Sequence, residues 1–146
     1  MAEFKQYMQN NDDIEESLKK IPKGHRELVH GFKINLEPTN TLHGDKGHVG
    51  VVMTDPHKEI RIASPWNYPR EFAFLHEVGH LVYEKYVRGT NLEKEWSKVA
   101  KLNKNRKKEE PDEENFSHAY AACYCKHPPV THHHEEWRKF IKNLPH

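Results

Sequence analysis

Apolar residues in this chain come in short bursts, and their spacing changes twice along its length. Asp12-Asp13 precedes Ile14 and Leu18, and Pro22 follows, which predicts a capped first helix within an N-terminal helical extension over 1–20. His25 to His30 predicts a short second helix stopped by Gly31. From Phe32 the period drops to two: Phe32, Ile34 and Leu36 alternate with Lys33 and Asn35, the pattern of a half-buried strand. Asn40, Gly44 and Asp45 place a loop over Pro38 to Lys46. Val49 to Met53 predicts a second strand and Thr54 to His57 a turn. Lys58 to Ala63 predicts a third strand, with Ile60 and Ile62 on one face.

After Pro65 to Pro69 the period becomes helical. One helix is expected from Arg70 to Arg88, with Gly89 as its stop, and another over Glu93 to Leu102 with Trp96 and Val99 inward. A helix from Asp112 or Glu113 through Cys125 follows. Pro128-Pro129 breaks it, and Thr131 caps a last helix carrying Trp137, Phe140, Ile141 and Leu144. Strands early and helices late predict an α+β class, as one domain over 1–146. Lys101 to Lys108 holds five basic residues and Glu109 to Glu114 five acidic ones. A charged linker over 101–113 is the first reading of these blocks, and a basic rim over a site the sharper one.

The chemistry concentrates in His76-Glu77-Val78-Gly79-His80. On a helix the two imidazoles share one face a turn apart, able to grip one metal ion, with Glu77 beside them to take a proton from water. With 13 His in 146 residues, a chance match has to be weighed. The flanks argue against chance. Phe72, Phe74 and Leu75 precede the motif, and Leu81, Val82 and Tyr83 follow. Polar groups buried in such a helix need partners, and a metal supplies one. Gly79 stands where a side chain could crowd another backbone, at about 1 kcal/mol of helix propensity against Ala.

A catalytic zinc site needs a third protein ligand. Glu114 is the best candidate, sharing one helix face with Ser117, His118 and Ala121. Glu113, on another face, and His118, one turn on, remain open as rivals.

HEVGH followed by a helix that opens at Glu114, with small Ser117 and then Tyr120-Ala121, resembles the gluzincin metallopeptidases. The catalytic domain of the anthrax lethal factor-like and Pro-Pro endopeptidase branch is similar over about Ile21 to Leu144. The ImmA/IrrE-type peptidases are the second choice. The resemblance implies a small zincin-like α+β domain. A short three-stranded sheet would pack on the HExxH helix and a glutamate-bearing helix, with a helical C-terminal half. It implies zinc held by His76, His80 and Glu114, and Glu77 as the general base of a zinc-dependent endopeptidase that hydrolyses peptide bonds with metal-activated water. An extended peptide or protein substrate would lie on a strand edge, Val49 to Met53 or Lys58 to Ala63.

Two positions depart from that pattern. Where the branch carries an oxyanion-assisting tyrosine seven residues before the zinc glutamate, this chain has Lys107. A cation could do that electrostatic work, with His118, Tyr120 and Tyr124 as fallback donors. Where the family often has an acidic residue one turn after that glutamate, this chain has His118, which would orient a ligand or close the site as a fourth one. The alternative function is therefore a zinc-binding regulatory or interaction protein of the same fold.

Composition narrows the rest. The hydrophobic fraction is 35%, the mean hydropathy −1.02 and the formal net charge +1, so nothing pulls the chain globally toward nucleic acid or anionic membrane. Basic residues are not interleaved with aromatics, and no phosphate loop or Ser/Cys nucleophile motif occurs. No apolar run has membrane-span length, and Met1 to Asp13 lacks a signal-peptide core. A cytoplasmic monomer is expected, with non-classical export left open. Cys123 and Cys125 read as reduced thiols, and His132-His133-His134 as a polar helix start with weak adventitious metal binding.

Overall fold

A computed structural model describes residues 14–36, 50–53, 58–62, 70–102, 111–125 and 135–145. Among the described residues the order is α1 (14–20), α2 (Lys23–Val29), β1 (Lys33–Leu36), β2 (Gly50–Met53), β3 (Glu59–Ile62), α3 (Arg70–Val82), α4 (Asn91–Ala100), α5 (Asp112–Tyr124) and α6 (Glu135–Lys142). The chain is mixed helix and strand with helix predominant.

β3 is the middle strand. It runs parallel to β1, with Ile34 opposite Ile60, and antiparallel to β2, with Val52 opposite Ile60. Both of its edges are therefore used, and the expectation that Lys58 to Ala63 could offer a substrate edge fails. Of the two candidates only β2 is terminal among the described residues. The alternation in β3 buries Ile60 and Ile62 completely, and α3 packs across β2 and β3.

α3 is the central element. Phe72, Ala73, Phe74, Leu75, Val78, Leu81 and Val82 are all buried, which explains an apolar pattern that wraps most of the helix. Its most extensive partner is α5, and Gly79 is what lets the two approach. A Cβ on Gly79 would stand 2.8 Å from the Cα of Ser117. Beyond α5, Trp96, Phe116, Trp137 and Phe140 form an aromatic cluster that joins α4, α5 and α6. Burying an indole requires a partner for its N–H. Trp96 donates to the Asp112 carbonyl at 2.8 Å and so ties down the start of α5, while Trp137 donates to the Val99 carbonyl at 2.8 Å.

Several expected boundaries shift for local reasons. The motif helix changes to a π-helical turn over Tyr83–Val87, closed by Arg88 N–H to the Tyr83 carbonyl at 2.8 Å, before Gly89 at φ +75° ends it. α4 starts at Asn91 rather than Glu93 because the Thr90 side chain accepts from the Leu92 N–H at 3.2 Å. The second helix ends as expected beside Gly31, at φ +88°. Cys123 and Cys125 are not joined in a disulfide. The expected caps at Asp12-Asp13 and Thr131, the segments Pro38 to Lys46, Thr54 to His57 and Pro65 to Pro69, Pro128-Pro129 and the three-histidine run lie outside the described residues. Among the described residues no helix is long and apolar enough to cross a membrane.

Candidate metal centre

His76, Glu77 and His80 project from the middle of α3, where helical spacing forces both imidazoles to one side. Donor atoms of the three residues lie within 4.8 Å of one another, with Glu77 buried. The first turn of α5 comes across that face, anchored by Trp96 at Asp112, and presents Glu114. One carboxylate oxygen of Glu114 is 3.1 Å from His76 Nε2 and the other 3.0 Å from His80 Nε2.

These separations bear on what the cluster can hold. Bonds of ~2.0–2.1 Å in a tetrahedral zinc site put neighbouring donor atoms about 3.3 Å apart, and each imidazole Nε2 stands near that distance from one Glu114 oxygen, His76 from one and His80 from the other. The donor set, two imidazoles and one carboxylate, fits zinc. The Glu114 side chain is 41% exposed, so the cluster borders solvent. A cleft of about 410 Å³ adjoins it, lined by Tyr83, Arg88, Pro111, Asp112, Glu113 and Glu114.

Electrostatics follow the contacts. Hydrogen bonds from His76 and then His80 hold the Glu114 carboxyl well below the usual carboxylate range, against the opposing effect of burial. For His80, burial favours the neutral ring, but the hydrogen bond to Glu114 and the charges of Glu77 and Glu114 outweigh it and raise its pKa. No family model, curated protein or solved structure matches this chain.

Other candidate residues are distributed unevenly. His118 lies on the same face as Glu114, its ring 6.4 Å from that of His76 and 5.1 Å, edge-on, from that of Phe72. Tyr120, about 120° round α5 from Glu114 by helical geometry, is wholly buried, and its hydroxyl contacts His25 Nδ1 at 2.9 Å. It stands in the core, away from the carboxylate–imidazole cluster. Tyr124 is buried too, with the Lys142 ammonium 4.2 Å from its ring centre, and burial pushes its hydroxyl pKa up to about 12. Lys107 lies outside the described residues.

Glu113, weighed from sequence as a rival ligand, contacts His80 through Nδ1, at 2.8 Å, on the opposite side of the ring from Glu114. Arg88, which the sequence marked only as a helix end, pairs with both Glu113 and Glu84. No local pattern announces this pairing, because a π turn leaves no periodic signature in so few residues.

Proposed function

We propose that this protein is a zinc-dependent endopeptidase of the gluzincin type. The observation that carries the reading is the convergence of one Glu114 carboxylate on Nε2 of both His76 and His80, beside buried Glu77. His76, His80 and Glu114 would hold the ion. Zinc in such a site supplies Lewis acidity toward a carbonyl oxygen and toward water. Glu77, one residue from a ligand and within the same group, takes a proton from the attacking water on a carboxylate oxygen and returns it to the leaving amine. β2, terminal among the described strands, offers an extended peptide its backbone groups.

The test combines metal content with turnover, on protein purified without nickel resin. Elemental analysis is expected to give about one zinc per wild-type chain and a large loss in Glu114→Ala, as a site of three protein ligands requires. Glu77→Gln is expected to keep zinc and lose cleavage of a peptide library. An active, zinc-loaded Glu77→Gln protein would sink the mechanism.

A second reading is a zinc-binding regulatory or interaction protein of the same fold. It is favoured by His118, which shares the α5 face of Glu114 and whose ring lies 6.4 Å from that of His76. Under that reading His118→Ala weakens zinc binding, and wild-type protein cleaves nothing in the library.

A further inference from the structure

His80 is held by carboxylates at both ring nitrogens: Glu114 at Nε2, 3.0 Å away, and Glu113 at Nδ1, 2.8 Å away. A carboxylate can only accept, so the Nδ1 contact places a proton on that nitrogen. When Nε2 gives up its own proton to bind an ion, the Nδ1–H tautomer is the one that leaves Nε2 as the ligand atom. A second chain of contacts holds Glu113. Its other oxygen receives the Arg88 guanidinium, which also grips Glu84 on the π-helical turn. That turn carries the backbone from His80 to Arg88 on the same helix, so α3 and its continuation clamp Glu113 at both ends: imidazole on one side, guanidinium on the other.

We infer that Glu113 is a positioning residue for His80, selecting its Nδ1–H tautomer and ring orientation, and that Arg88 acts through Glu113 by fixing that carboxylate. The inference rests on the metal reading of His76, His80 and Glu114 for its consequence, though not for its geometry. It also gives adjacent acidic residues different work. Helical residues one apart are separated by about 100°, so Glu114 and Glu113 reach the two opposite nitrogens of one imidazole.

The experiment uses the full chain and the metals alone as probes. Zinc affinity is measured by competition with a chromophoric chelator for wild type, Glu113→Ala, Glu113→Gln, Arg88→Met and the Arg88→Met/Glu113→Ala double variant. Cobalt(II) spectra are recorded alongside. Loss of a carboxylate that orients a metal-bound imidazole lowers affinity about 10- to 100-fold while the stoichiometry stays the same. Glu113→Ala should fall in that range with an altered cobalt spectrum. Glu113→Gln, which keeps an acceptor but no charge, should lose less. Arg88→Met should weaken binding in the wild-type background and add nothing when Glu113 is already alanine.

Three results overturn the inference: zinc affinity in Glu113→Ala within about threefold of wild type, well short of the expected loss; loss of the ion altogether, as for a ligand; or additive effects of the two substitutions. The Nδ1 proton itself is read on metal-free protein by nitrogen-15 NMR of the histidine side chains. A slowly exchanging His80 Nδ1 proton in wild type, absent in Glu113→Ala, supports the inference even if wild-type protein binds no zinc, an outcome that would defeat the metallopeptidase reading alone. Lack of that proton in wild type defeats the inference whatever the metal content.

Discussion

The Cα of Ser117 lies 2.8 Å from the point that a Cβ on Gly79 would occupy. Contact at that distance is repulsive, and the clashing atom is backbone, so rotating a side chain does not relieve it. Gly79→Ala is expected to lose about 1–3 kcal/mol to overpacking, offset by roughly 1 kcal/mol of helix propensity. Urea denaturation measures the balance. Adding Ser117→Gly should not restore stability, since the Cα remains. Because α5 must move away from α3, Gly79→Ala should also weaken zinc binding, and an unchanged affinity would show that the helix spacing does not set the site.

Ser117 carries a second consequence. Its hydroxyl is completely buried and has no hydrogen-bond partner among the described residues. An unsatisfied buried polar group costs about 1–3 kcal/mol. Ser117→Ala keeps the Cβ that packs near Gly79 and removes the orphan oxygen, so it should leave the protein as stable or raise stability by roughly 1 kcal/mol. A clear loss in chemical denaturation would mean that the hydroxyl has a partner, such as an ordered water.

His25 binds the far side of the core. Its Nε2 is 2.8 Å from the Pro145 carbonyl, which can only accept, so Nδ1 is left to accept from the Tyr120 hydroxyl at 2.9 Å. Tyr120→Phe leaves that nitrogen without its donor and should cost about 1–3 kcal/mol of stability. Zinc content and turnover per folded molecule should not change. A fall of about a hundredfold in kcat at full zinc, the scale of a lost oxyanion donor, would return Tyr120 to the reacting centre.

The charged cluster makes stability depend on pH in opposite ways with and without metal. Glu114 has a folded pKa below its ordinary 4.5, so its contribution is present above that value and is lost as pH falls through the folded pKa. His80 has a folded pKa above 6.5, so its contribution is full below that value and is lost as pH rises through the folded pKa. Metal-free protein should gain most from the cluster between pH 4.5 and pH 6.5. Zinc binding requires the Nε2 protons to leave, so its stabilisation should grow above that window. Melting temperatures with and without zinc should diverge as pH rises from about 5 to about 8, and a constant gap would refute the coupling.

What could be read in the sequence was what depends on neighbours along the chain. The i, i+4 spacing of His76 and His80, the apolar flanks of their helix, the stops at Gly31 and Gly89, and the alternation of Ile60 and Ile62 all follow from helical or strand geometry over a few residues. Gly79 was legible as a close-approach position, though not what approached it. Packing decided the rest. Glu114 reaches His76 across 38 residues only because α5 crosses α3 at the glycine and is pinned by Trp96 at Asp112. Glu113, Glu114 and His118 are all polar residues of one helix, and what each meets depends on the rotation of that helix about its axis. No periodicity encodes that angle; side-chain volumes at the α3–α5 contact set it. The same holds for Arg88, aimed at Glu113 by a π turn, and for β3, whose central place in the sheet comes from pairing with distant strands.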